Sequence, residues 1–218
     1  MSPAASDDIV FYTNPMSRGR IARWMLEEVG RPYRTEVLDY ATTMKAPAYL
    51  AINPMGKVPA VVHRGVTVTE CAAVCAYLAD AFPEAGLAPA LDDPRRGLYY
   101  RWMFFAAGPV EASVTANSLG LLPPAEKSAM VGYGSFEQTV DALEYAVEQG
   151  GPWLLGDQFT AADVYVGSQV AWGQMFRSLP ERPAFQAYAA RLMSRPAAVR
   201  AREIDDALIA EVKARAEP

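Results

Sequence analysis

The chain has 218 residues, 51% of them apolar and 21% charged, with a net charge of -5. That balance is ordinary for a folded globular protein and excludes a disordered chain. It also removes nucleic acid and anionic membrane as natural partners, because no basic block stands out, and no apolar run approaches the ~18 residues that span a bilayer.

In chain order, the opening "MSPAASDDIVFY" has no basic segment ahead of an apolar stretch, so no secretory signal is expected there. Ile9-Val10-Phe11-Tyr12 is a β-prone run that stops at Asn14-Pro15. Ile21, Trp24, Met25 and Val29 fall at helical spacing, and Gly30 stands where a helix ends. Tyr33 to Leu38 predicts a second strand, and Pro47 to Ile52 a short helix with proline in its first turn. Ala60–His63 and Val66–Thr69 predict two more strands, with Arg64-Gly65 as a two-residue hairpin loop. Cys71, Val74, Cys75 and Leu78 form the next helical stripe, which Pro83 terminates. The order is βαβ, α, ββα: a parallel pair first, then an antiparallel hairpin closed by a helix.

The segment "PEAGLAPALDDP" lacks periodicity and predicts a linker. Helices are expected after it: a long aromatic-rich one that 98–107 starts, one around Phe136, Val140, Leu143 and Val147, and others over 164–176, 183–194 and 203–214. The expected domains are therefore 1–83 (α/β), a linker at 84–93, and 94–218 (all-α). Cys71 and Cys75 lie four apart on one helix, a spacing that does not favour a disulfide, so a cytoplasmic protein is expected.

Several residues carry chemistry. Val58-Pro59 opens a strand with a residue that cannot donate to a sheet ladder. A cis peptide there would leave the Val58 N–H and C=O free to bond an extended peptide; the plainer reading is an edge-strand proline with no ligand. Glu70-Cys71 follows a strand and starts a helix, whose outward amides suit a carboxylate while Glu70 suits an ammonium. Alternatively, Glu70 only complements the helix dipole. Ser17, five residues after Tyr12, is both a natural helix cap and a possible hydroxyl donor. His63 is expected at the solvent side of the hairpin turn. One histidine and two helical cysteines cannot make a zinc set, so no metal site is expected. The aromatic set Tyr99, Tyr100, Trp102, Phe104 and Phe105 falls on one expected helix, and at helical spacing such residues are mostly core.

Taken together, "FYTNPMSRGRIARWMLEEVGRPY", "NPMGKVPAV", "TECAAVCAYLAD" and "PWLLGDQFTAADVYVG" resemble the glutathione S-transferase family along essentially the whole chain. The resemblance implies a thioredoxin-like N-terminal domain (βαβαββα) before the all-helical C-terminal domain, with Thr160 and Asp163 as the family's N-capping box. It implies an enzyme that conjugates or otherwise processes a small, largely apolar electrophile with glutathione as co-substrate. Glutathione-dependent reductase, peroxidase or isomerase activity, or a non-catalytic binding module, are the alternatives. The Ser-Ser-Cys-Ser segment of the isomerase relatives is missing. By the resemblance Val58 would bond the cysteinyl backbone beside cis Pro59, Glu70 and Cys71 would hold the γ-glutamyl end, and Lys57 would reach the glycine carboxylate, with Lys45 as a weaker candidate. Cys71 departs from the family's usual Ser, exchanging a hydroxyl for a weak S–H donor. Ser17 would stabilise the thiolate, with Tyr12 or Asn14 as fallback catalytic groups, and the subunits would pair as a homodimer.

Overall fold

The computed structural model describes residues 8–216. The opening residues on which the absence of a leader is read lie outside them. Two compact units result: one runs to Ala85 and resumes at Arg195, the other is Gly86–Ser194.

The first unit is built on four strands, β1 (Ile9–Thr13), β2 (Tyr33–Val37), β3 (Ala60–His63) and β4 (Val66–Thr69), in the order β2-β1-β3-β4. β1 and β2 run parallel, with Ile9 opposite Tyr33, and the other two pairings are antiparallel. The crossover helix α1 (Gly19–Val29) ends at Gly30, whose N–H returns to the Leu26 carbonyl. A 3₁₀ turn at Thr43–Lys45 precedes α2 (Pro47–Leu50), and α3 (Cys71–Ala81) closes the hairpin motif. The hairpin has the predicted two-residue loop. Arg64 and Gly65 both take positive φ, 52° and 75°, which matches the twist of the flanking strands.

Side chains alternate along β1 and so serve two layers. Phe11 lies under the Arg23 guanidinium of α1, while Tyr12 meets Tyr49 of α2. His63 differs from expectation. It is fully buried, with Nδ1 2.9 Å from the Tyr77 hydroxyl and its ring stacked on Phe82. It shares the inward face of β3 with Val61, and α3 covers that face.

The second unit holds α4 (Arg95–Phe105), α5 (Glu111–Ser118), α6 (Phe136–Gln149), α7 (Ala161–Met175) and α8 (Pro183–Met193). A π-helical stretch, Ala106–Val110, containing Pro109, joins α4 to α5. Neither it nor α5 is apparent in the hydrophobic spacing. α7 is buried along most of its length, and its N-terminus is locked by the Thr160–Asp163 capping box.

The final helix α9 (Pro196–Ala216) is longer than the predicted 203–214 and belongs by packing to the first unit, where it lies against α1. This differs from assigning all of 94–218 to a helical domain. The reason is electrostatic as well as apolar: Asp205, Asp206 and Arg195 pair with Arg23, Arg20 and Glu28 of α1. The Arg23–Asp205 pair is wholly buried at 2.7 Å. Among the described residues no helix is long and apolar enough to cross a membrane, and no cluster of metal-ligating side chains occurs.

Candidate active site

Strand register brings the predicted residues to one end of the sheet. Ala60 is the residue that faces both Tyr12 on β1 and Thr69 on β4. The residues just before Ala60 therefore lie beside those just after Thr69. That sets Val58-Pro59 alongside Glu70-Cys71, next to the point where β1 turns into α1. The Val58-Pro59 peptide is cis. Among the described residues no hydrogen bond reaches Val58, whose side chain packs on the Met44, Tyr49 and Ala60 cluster.

The loop into β3 is held from below. The Lys57 carbonyl accepts from the Tyr49 hydroxyl at 2.6 Å and from Asn53 Nδ2 at 2.8 Å. Burial pushes the Tyr49 hydroxyl up to about 12, so it remains a donor at neutral pH. The Lys45 ammonium donates to the Gly56 carbonyl at 2.6 Å, which fixes it to this loop. The Lys57 side chain is exposed. Sequence reasoning missed Tyr49 and Asn53 as supports; the Asn before Pro-Met-Gly was a signal, since its Oδ1 also accepts the Met55 N–H.

Glu70 precedes α3 with φ 64° and ψ 115°, a region sparsely used by non-glycine residues. Its carboxylate is exposed, and its Oε1 accepts from Thr69 Oγ1 at a long 3.5 Å. The first hydrogen bond of α3 runs from Val74 N–H to the Glu70 carbonyl, so the N–H groups of the turn before it point out of the helix end. Cys71 is buried, and its Sγ lies 3.6 Å from the Arg18 carbonyl. That contact joins the start of α3 to the start of α1.

The turn into α1 holds the candidate catalytic groups. Ser17 Oγ donates to the Asn14 carbonyl at 2.6 Å and accepts the Gly19 N–H at 2.9 Å. It is half-buried, so the group is a cap with a side open to solvent. Asn14 is engaged at both ends of its amide: Nδ2 donates to the Leu38 carbonyl and Oδ1 accepts the Met16 N–H. Tyr12 points its ring at Tyr49, 5.5 Å between centroids, within the cluster under α2. Of the three, Ser17 alone combines a free side with a hydroxyl at a helix N-terminus.

The glutathione S-transferase N-terminal domain model matches residues 16–81, and the glutathione S-transferase C-terminal domain model matches 111–191. Among curated proteins, glutathione S-transferase GST-4.5 of Xanthomonas campestris is 29% identical over 169 residues, 74% of this chain and 80% of that protein. A glutathione transferase structure from Methylococcus capsulatus is 28% identical with a TM-score of 0.74, covering 91% of this chain and 98% of the other. A sphingomonad glutathione S-transferase complexed with glutathione is 27% identical with a TM-score of 0.72, covering 90% and 98%.

Proposed function

Because the chain belongs to the glutathione S-transferase family, we propose that the end of its sheet binds glutathione and that Ser17 activates the bound thiol. The protein is a glutathione transferase, with glutathione as co-substrate for processing a small electrophile. The observation that carries the site assignment is the convergence of cis Val58-Pro59, Glu70-Cys71 and Ser17 on one edge of the first unit.

Each end of the tripeptide has chemistry to meet it. The Val58 backbone pairs with the cysteinyl backbone as an added strand does. The γ-glutamyl carboxylate sits against the outward N–H groups at the start of α3, where the helix dipole favours negative charge. Its ammonium goes to Glu70, whose strained backbone aims an otherwise open carboxylate; such strain, on the order of 1–3 kcal/mol, collects at functional sites. Lys57 meets the glycine carboxylate. Lys45, already donating to Gly56, serves chiefly to hold the loop. Replacement of the usual Ser by Cys71 leaves the backbone N–H in place and weakens only the side-chain donor.

Conjugation needs the thiolate, since a free thiol near pKa ~8.5 is mostly protonated at neutral pH. The Ser17 O–H, turned towards sulfur, stabilises the anion, and the α1 N-terminus adds a favourable field. Two-fold homodimer formation and cytoplasmic residence belong to the same reading. Exposed Leu98, Tyr100 and Phe104 on α4 supply apolar surface for the first, and two buried cysteines outside any disulfide suit the second.

The site assignment is tested with Glu70→Ala. Removing the partner of a ligand charge should weaken glutathione binding by roughly 2 kcal/mol, about 30-fold. Calorimetry that finds equal affinity in wild type and variant, or none in either, contradicts it.

A further inference from the structure

Thr13, the last residue of β1, presents a hydroxyl that the fold leaves unused. The residue is fully buried, and Oγ1 has no hydrogen-bond partner among the described residues. A buried hydroxyl without a partner is destabilising relative to a methyl of the same shape, and valine suits a strand at least as well. Packing alone therefore does not account for threonine.

The neighbourhood of that oxygen is specific. A Cβ built on Gly19 would lie 2.0 Å from Thr13 Oγ1 and 3.0 Å from Ser17 Oγ. The two hydroxyl oxygens thus flank one point, and cannot be further apart than those two distances laid end to end. Only a glycine at 19 allows both to be there. A serine hydroxyl has one proton and two acceptor sites. In the structure the Ser17 proton goes to the Asn14 carbonyl and one acceptor site takes the Gly19 N–H. The second acceptor site remains.

We infer that Thr13 is a positioning residue for Ser17, donating its hydroxyl proton to that second acceptor site when Ser17 turns its own proton to the glutathione sulfur. This inference rests on the assignment of Ser17 as the thiol-activating group. The resulting chain runs from Thr13 O–H to Ser17 O–H to the thiolate. No covalent bond forms or breaks and no proton changes owner; the side chains turn about their Cα–Cβ bonds, bringing two oxygens that are not bonded to each other in the structure within hydrogen-bond reach. Thr13 gains the partner it lacks, and the Ser17 oxygen is held in place as its bond to Asn14 is released. Linked hydrogen bonds polarise one another, so Ser17 becomes a stronger donor to sulfur than it would be alone.

A packing role for Thr13 makes the opposite forecast, since the γ-methyl and Oγ1 positions are both filled by valine. The test is a pH titration of the bound glutathione thiol, read by thiolate absorbance, on the full chain carrying Thr13→Val, Thr13→Ala, Thr13→Ser or Ser17→Ala. Thr13→Val should raise the bound thiol pKa by about 0.5–1 unit, leaving roughly three- to tenfold less thiolate at a pH below both values. Thr13→Ala should move it the same way, which covers the case in which valine does not fold. Thr13→Ser should restore the wild-type titration, and glutathione Kd measured at a pH below both thiol pKa values should stay within about twofold throughout. If the hydroxyl-free variants titrate like wild type while Ser17→Ala titrates high, the role of Thr13 is overturned and that of Ser17 stands. If Thr13→Ser shifts as far as Thr13→Val, the hydroxyl is not the cause and the inference also fails. If Ser17→Ala titrates like wild type, both fall.

Discussion

Helices α1 and α7 both start behind a side-chain hydroxyl, yet they treat it in opposite ways. At α7, Thr160 Oγ1 accepts the Ala162 N–H, and Asp163 reaches back to the Thr160 N–H at 2.9 Å. The same carboxylate also accepts from the Leu154 N–H and the Tyr188 hydroxyl, each at 2.8 Å. Everything there is buried and every oxygen is spoken for. At α1, Ser17 caps a single amide, no acidic residue stands in the first turn, and the hydroxyl is half-exposed. One helix start is closed by a carboxylate; the other keeps a proton that can be reassigned. The same capping chemistry yields a structural lock in one place and a reactive edge in the other.

The largest effect that would break this contrast lies at Asp163. Truncation to Ala strips partners from the Leu154 N–H, the Thr160 N–H and the Tyr188 hydroxyl, buried donors that cost about 1–3 kcal/mol each when left unmade. After allowing for the relief of burying a carboxylate, a net loss of about 3 kcal/mol is expected, read as a lower urea midpoint. A variant as stable as wild type would show that the box is ornamental.

Acid offers a second handle on the same lock. Burial, against the pull of its hydrogen bonds, pushes the Asp163 carboxyl up from 3.8 to about 6. The folded state therefore holds this proton more tightly than the unfolded chain. Above about pH 6 the group is ionised in both states and the folded protein bears the full desolvation cost. As pH falls through about 6 towards 3.8 that cost is relieved, by up to roughly 3 kcal/mol. Urea unfolding at about pH 7 and pH 5 should show wild type gaining on Asp163→Asn as the solution is acidified. A stability difference that stays constant, or that moves in favour of the variant on acidification, contradicts the assignment.

The smallest effect is the cap comparison itself. Thr160→Ala, in a buried box, should cost about 2 kcal/mol, and Ser17→Ala, at a half-exposed turn, about 0.5–1 kcal/mol. Equal losses by thermal or urea melts would mean that α1 depends on its hydroxyl as much as α7 does, leaving little reason to see Ser17 as free to move.

Much of this was legible in the residues because the determinants are local. Strand alternation, Gly30 and Arg64-Gly65 mark the ends and turns of the first unit, and Ala60–His63 and Val66–Thr69 are strands where spacing predicts them. Thr160 and Asp163, three residues apart, announce their own box. What stayed hidden depends on distant partners. The charge-rich α9 carries no sign that Asp205 finds Arg23, 182 residues away, in the core of the first unit. His63 looks like a turn residue until α3 is laid over β3 and Tyr77 supplies its partner. Hydrophobic spacing marks a helix at 98–107 but says nothing of Pro109, which the chain absorbs in a π-helical stretch before continuing into α5. Within the site, the motif residues themselves were apparent, while the supports beneath them, Tyr49, Asn53 and Thr13, required the register of the sheet.

The central claim is that the Ser17 hydroxyl, beyond capping α1, stabilises the glutathione thiolate. Titration of the thiol bound to wild type and to Ser17→Ala tests it most directly, with Tyr12→Phe as the control on the rival group. The account predicts a wild-type pKa well below the free value and a rise of about 1–2 units in Ser17→Ala, with glutathione affinity little changed at a pH below both pKa values. Conjugation of a generic electrophile should fall about ten- to a hundredfold at neutral pH. An unshifted titration and full activity in Ser17→Ala, with both lost in Tyr12→Phe, would leave Ser17 a helix cap and nothing more.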